Sequence, residues 1–161
     1  MSGDKNRYLP ILIFLWIIFV ALPIGNRGLW DPDEPRYLQV SWEMSQTGSY
    51  LIPVMNGELY MEKPPLFFWL TILASKVFPL ETASRWVSAL ACLGILLLTY
   101  WLGRFSADRA VGFTAALILM SFGLFILLMS TGNIDTTLTF FTTLSLCLFL
   151  RWDSQKQARY L

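Results

Sequence analysis

Five apolar blocks constrain this chain more than anything else in it. Residues 9–25, 64–78, 83–102, 111–129 and 136–152 are almost free of charge. At ~1.5 Å per residue, the longer ones cover roughly 25–30 Å, enough to cross a bilayer core with flanking residues assisting. Hydrophobic residues make up 55% of the chain and charged ones 14%, which leaves too little polar surface for a soluble globule of 161 residues. The fold class implied is an all-α integral membrane protein with a single domain.

Composition also excludes several kinds of chemistry. A formal net charge of +1 offers no basic field for a nucleic acid. The chain has no histidine, so it can supply no histidine base, histidine-ligated zinc or Ser-His-Asp triad. Cys92 and Cys147 each sit inside an apolar block without metal-ligand spacing and read as packing residues.

The placement of basic residues sets the expected topology. Lys5 and Arg7 precede the first block, which reads as an uncleaved signal anchor because Pro23-Ile-Gly-Asn26 lacks a small-x-small cleavage pattern. If 64–78 does not cross, then Lys5/Arg7, Arg104/Arg109 and Arg151/Lys156/Arg159 share one side, as the positive-inside rule requires. That block is the shortest of the later four, roughly 22 Å as a helix, and it contains Lys76. The expectation is therefore about four transmembrane helices, over 9–25, 83–103, 110–130 and 136–152. They flank one long extracytoplasmic loop, 26–82, that carries two juxtamembrane helices. The N-terminus is then cytoplasmic.

Within the loop, Pro35 reads as the first residue of an amphipathic helix that Asp33 or Glu34 caps and Gly48 ends. Tyr37, Val40, Ser41 and Met44 share one face, and Arg36, Gln39 and Glu43 another. Asn56-Gly57 marks a tight turn. The block from Pro64 to Phe78 is the second surface helix.

Three polar clusters fall on the extracytoplasmic side of this arrangement. Asp31, Asp33 and Glu34 place several carboxylates within four residues, a pattern that suits a divalent cation or a general base and equally suits acids at a helix N-terminus. Glu62-Lys63-Pro64-Pro65 sets an acid beside a mobile ammonium suited to a phosphate, or simply opens a helix. Asp135 sits in the brief break Ser130-Thr-Gly-Asn-Ile-Asp135 between two spans. A carboxylate at that depth is costly and so a functional candidate, with helix capping as the alternative.

Leu29-Trp-Asp-Pro-Asp-Glu-Pro-Arg-Tyr37, Trp42-Glu-Met44, Gly48, the Pro53–Gly57 turn, Tyr60-Met-Glu-Lys-Pro-Pro65 and Gly132-Asn-Ile-Asp135 together resemble one family. It is that of the bacterial lipid A aminoarabinose transferases and the related protein mannosyltransferase-like enzymes of the GT-C superfamily. The resemblance implies an inverting glycosyltransferase of the inner (plasma) membrane that moves a sugar from a polyprenyl-phosphate donor to an extracytoplasmic acceptor, either a glycolipid such as lipid A or a protein. Carried over, Asp33 is the general base, Glu34 its support and Asp135 the second catalytic carboxylate. Lys63 contacts the donor phosphate, while Arg36, Tyr37 and Tyr60 line the site. Glu62 would help hold a divalent metal ion if one binds, and no other cofactor is expected. Members of that family are several times longer, so the chain is expected to be an incomplete GT-C module that needs a missing C-terminal region or a partner subunit. A non-catalytic binder of polyprenyl phosphate with the same descent is the alternative.

Overall fold

The computed structural model describes residues 7–21, 24, 25, 28, 29 and 32–159. Seven α-helices and one two-stranded hairpin account for nearly all of them: α1 (Tyr8–Ala21), α2 (Asp33–Thr47), β1 (Val54–Met55), β2 (Glu58–Leu59), α3 (Leu66–Ala74), α4 (Leu80–Ser106), α5 (Arg109–Ser121), α6 (Gly123–Ser130) and α7 (Ile134–Arg159).

The central element is α4. Its 27 residues extend roughly 40 Å, and it packs against α1, α2, α3, α5, α6 and α7. Leu12, Trp16 and Val20 recur every fourth residue on α1 and are buried against this core, and the Trp16 indole donates to the Ala89 carbonyl of α4 at 3.0 Å. The other sides of α1 expose Ile11, Phe14, Ile17 and Ile18, an all-round apolar surface suited to lipid. Beneath the loop, a second core gathers Tyr37, Val40 and Met44 of α2 with Tyr60 and with Phe67, Phe68 and Ile72 of α3. Its rings meet largely edge to face.

Among the described residues, two helices, α4 and α7, are each long and apolar enough to cross a membrane, and the count is three if α5 and α6 form one broken span. The stretch expected as a straight span over 110–130 is in fact two helices bent by 75°. The break is at Phe122, whose backbone is extended (φ −70°, ψ 122°), and Gly123 follows it, so the helical ladder is interrupted beside the poorest helix former after proline. On α1, fourteen residues cover roughly 21 Å, and the expected 9–25 span continues through residues 22 and 23, outside the described part. Nine residues of α3, roughly 13 Å, cannot cross.

The first surface helix differs from expectation at its start. It begins at Asp33, two residues before Pro35, and no side chain caps it. Proline is tolerated there because the first-turn amides have no intrahelical partner, and Asp33 and Glu34 favour the helix dipole from within that turn. Gly48 ends the helix as expected, left-handed at φ 70°, with its amide bonded to the Met44 carbonyl at 3.1 Å. Asn56 and Gly57, at φ 56° and 81°, form the two-residue turn between β1 and β2.

Glycine sets the spacing of α4 and α5. A Cβ on Gly103 would lie 2.6 Å from the Gly112 Cα, and one on Gly112 would strike the Tyr100 carbonyl. The obstacle in each case is backbone, which cannot swing aside. Gly112→Ala is expected to destabilise the protein by about 1–3 kcal/mol, read as a lowered midpoint of thermal unfolding in detergent. An unchanged midpoint would show that the helices do not cross here.

Candidate functional site

Adjacent residues on a helix point about 100° apart, and that angle separates the two acids that open α2. Glu34 turns inward and is 2% exposed. Arg85 of α4, itself 3% exposed, grips it with two bonds, Nε to Oε1 at 2.7 Å and Nη2 to Oε2 at 3.2 Å. The remaining guanidinium donors reach the carbonyls of Ile24 at 3.3 Å and Gly28 at 3.1 Å, in the connection from α1 to α2. Glu34 Oε1 also accepts the Gly132 amide at 3.0 Å, in the connection from α6 to α7. Ser88 of α4 holds the next residue there, accepting the Asn133 amide at 2.8 Å and donating to its carbonyl at 3.1 Å. Asn133 Oδ1 then accepts the amide of Asp135 at 2.7 Å, which fixes the first turn of α7.

Asp33 turns outward, and its side chain is about half exposed. Arg36, one turn on, lies between two carboxylates, 3.7 Å from Asp33 and 3.9 Å from Glu62. Lys63 faces Asp135 at 3.5 Å across 72 residues of sequence. Tyr37 has a buried ring, and burial, Asp33 and Asp135 together push its hydroxyl up to about 12. It is therefore a neutral donor throughout the physiological range. Burial also raises the Tyr60 hydroxyl, against the opposing effect of Arg36. That hydroxyl has no hydrogen-bond partner among the described residues, and its neighbour Arg36 is in turn raised, chiefly by Tyr60.

Asp33, Arg36, Tyr37, Tyr60, Glu62, Lys63 and Asp135 thus meet on one surface, and Glu34 lies beneath it in the buried pair. Three carboxylates and two cations face one another through partly exposed contacts, each worth little and easily exchanged for a ligand. Helices α2, α3 and α7 all begin at this surface, so their positive dipole ends add to the field that Arg36 and Lys63 supply. Asp31 lies outside the described residues. Among those described, no three carboxylate or thiol groups converge to hold a metal ion. Glu62, expected as a metal ligand, presents one carboxylate turned toward Arg36.

An apolar groove leads away from the cluster. Pro64, Phe67, Ile134 and Phe141 line its near part, about 180 Å³, and Pro64 and Ile134 are the chain neighbours of Lys63 and Asp135. A larger part of about 460 Å³ lies between α3, α4 and α7 and shares Thr137 and Phe141 with the first. The Thr137 hydroxyl is buried there without a hydrogen-bond partner among the described residues.

Arg85 and Glu43 escaped the sequence reading. Arg85 had a visible signal, a lone cation inside an apolar block. Glu43 was placed on the polar face of α2, yet it is buried, with Gln39 donating to it at 2.6 Å.

A family model described as dolichyl-phosphate-mannose-protein mannosyltransferase matches residues 7–160. The undecaprenyl phosphate-alpha-4-amino-4-deoxy-L-arabinose arabinosyl transferase of Pseudomonas savastanoi pv. phaseolicola is 36% identical over 148 residues, covering 91% of this chain and 28% of that protein. ArnT from Cupriavidus metallidurans has the same fold. Its apo structure gives a TM-score of 0.77 at 24% identity, over 92% of this chain and 27% of that one. Its structure bound to undecaprenyl phosphate gives 0.77 at 25%, over 89% and 27%. The chain therefore spans little more than a quarter of the length of the relatives it matches.

Removing one member of the buried pair would strand the other charge. Glu34→Ala is expected to cost about 3–5 kcal/mol, measured by thermal unfolding. The double variant Glu34→Gln with Arg85→Met should recover part of that loss. If Glu34→Ala unfolds at the wild-type temperature, the pair does not hold the site together.

Proposed function

The chain belongs to the dolichyl-phosphate-mannose-protein mannosyltransferase family, and from that membership we propose that it is the N-terminal, catalytic part of a glycosyltransferase using a polyprenyl-phosphate sugar donor. The observation that carries this reading is the meeting of Lys63 with Asp135, 3.5 Å apart, beside Asp33 and at the mouth of an apolar groove. A donor of this class joins a phosphate to a long hydrocarbon. A cation at the end of an apolar channel fits both halves.

In this reading the Asp33 carboxylate takes the proton from the acceptor oxygen. A bond forms from that oxygen to the anomeric carbon as the bond from that carbon to the phosphate oxygen breaks, with inversion. The polyprenyl phosphate leaves with the electron pair, and Lys63 stabilises the charge it gains, released from Asp135 as it does so. Asp135 orients Lys63 and serves as the second carboxylate facing the acceptor. Arg36 holds Asp33 in place, and Tyr37 and Tyr60 line the site as neutral hydroxyls. Glu34 acts from below by fixing α2 against the Gly132 connection. The acceptor is an extracytoplasmic glycolipid of the lipid A type or a protein.

The protein sits in the inner membrane with the cluster on the outer side and its N-terminus in the cytoplasm. Four crossings give that arrangement, with α5 and α6 together forming the third. A topology reporter fused after Arg159 should read cytoplasmic, and a reading from the outer side would overturn the four-crossing arrangement.

Asp33→Asn and Asp135→Asn should each lower transfer by roughly 100- to 10,000-fold, while binding of undecaprenyl phosphate stays within about threefold of wild type. Lys63→Ala should weaken that binding as well. The assay uses the protein as the cell makes it. Full transfer activity in Asp33→Asn would contradict the assignment of the base, and lost transfer with lost binding in both asparagine variants would point to a binder without chemistry.

A further inference from the structure

Glu43 lies on α2, two turns beyond the cluster, and faces the tip of the hairpin. Its Oε1 accepts the Asn56 amide at 2.6 Å and its Oε2 accepts the Gly57 amide at 3.3 Å. Both turn residues have positive φ, so their successive amides converge on one side and form a small anion-binding concavity. The Glu43 carboxylate fills it. Gln39, one helical turn earlier, donates to the same carboxylate at 2.6 Å and holds it in register. These bonds, that from Gln39 foremost, keep the Glu43 carboxyl below its usual range, so the contact is ionic throughout the neutral range.

The hairpin needs such an anchor. It has two paired rungs, Val54 with Leu59 and Met55 with Glu58, and a ribbon that short is not stable alone. From β2 the chain runs through Tyr60, whose amide bonds to the Pro53 carbonyl at 2.8 Å, to Glu62 and Lys63. Met61 is 78% exposed and the Glu62 side chain 68% exposed, so packing fixes little between Tyr60 and the start of α3. The place of Lys63 is thus set from its two ends, by α3 and by the hairpin.

We propose that Glu43 is a positioning residue: it fastens the hairpin turn to α2 and so holds Lys63 opposite Asp135. This role rests on the reading of Lys63 as the contact for the donor phosphate. Glu43 itself touches no substrate. It acts through the five residues of chain between Gly57 and Lys63.

The test is a double-mutant cycle in the protein as the cell makes it, with undecaprenyl phosphate in mixed micelles as the probe. Glu43→Ala and Lys63→Ala should each weaken binding by about tenfold, and the double variant should be no weaker than either alone. Glu43→Gln keeps an acceptor oxygen for the turn and should stay within about threefold of wild type. Glu43→Asp keeps the charge but not the reach and should behave like Glu43→Ala, which covers the case in which the alanine variant fails to fold. Amide exchange at Asn56 and Gly57 should accelerate in Glu43→Asp and remain slow in Lys63→Ala. If Lys63→Ala binds normally, the donor-phosphate reading falls and this inference with it. If Lys63→Ala is weak but Glu43→Asp binds normally, or if the two effects multiply, the functional reading stands and the positioning role falls.

Discussion

A buried arginine–glutamate pair is the interaction on which the rest of this structure depends. Glu34 and Arg85 come from helices 51 residues apart in sequence, and each is almost fully withdrawn from solvent. Burying two charges is costly, and mutual attraction rarely repays it unless the remaining polar atoms are satisfied. Here they are put to use: the guanidinium reaches carbonyls of the α1–α2 connection, and the carboxylate takes an amide of the α6–α7 connection. Gly132 is what allows that approach, since a Cβ there would lie 2.9 Å from the Ser84 Cβ and closer still to its hydroxyl. One ion pair thereby ties α2, α4 and both connections to a common point. Stability is the lesser consequence, and geometry the greater.

The geometry matters because the neighbours of that point are the groups with chemistry. Asp33 precedes Glu34, and Asp135 lies three residues after Gly132, so fixing the buried pair also fixes the two exposed carboxylates relative to each other. The contrast in strength between the layers is informative. Below, the charges are dry, bidentate and held. Above, Arg36 and Lys63 make single contacts of 3.5–3.9 Å with partly exposed partners, which a phosphate or acceptor can displace. The proposed transfer needs both properties, a rigid base for orientation and polar groups free to change partners.

Much of this was legible in the sequence where local chemistry decides the outcome. The buried face of α2, its stop at Gly48, the Asn56-Gly57 turn and a short helix within 64–78 all follow from periodicity, glycine conformation and length. So did the gathering of Asp33, Arg36, Tyr37, Tyr60, Glu62, Lys63 and Asp135, though motif resemblance rather than spacing brought them together. The break at Phe122 was not legible, because an apolar block reads the same whether its helix is straight or bent. The partnership of Glu34 with Arg85 could not be read either, since pattern alone does not say which distant cation meets a given acid. The burial of Glu43, which does share a face with Gln39, was not legible for a related reason. Helical periodicity put it on a polar face, and only the folded loop shows that the hairpin tip covers that face.

Glu34, by gripping Gly132, brings Asp135 to Lys63. The direct test is crosslinking of Lys63→Cys to Asp135→Cys in membranes by a short bifunctional thiol reagent, with Cys92 and Cys147 replaced by serine; a reagent is needed because a lysine–carboxylate contact does not by itself bring two backbones within disulfide reach. A rapid intramolecular crosslink is expected, slowing several-fold when Glu34 is also changed to alanine. A rate indifferent to Glu34, or no crosslink with the reagent, would show that Glu34 does not set this contact.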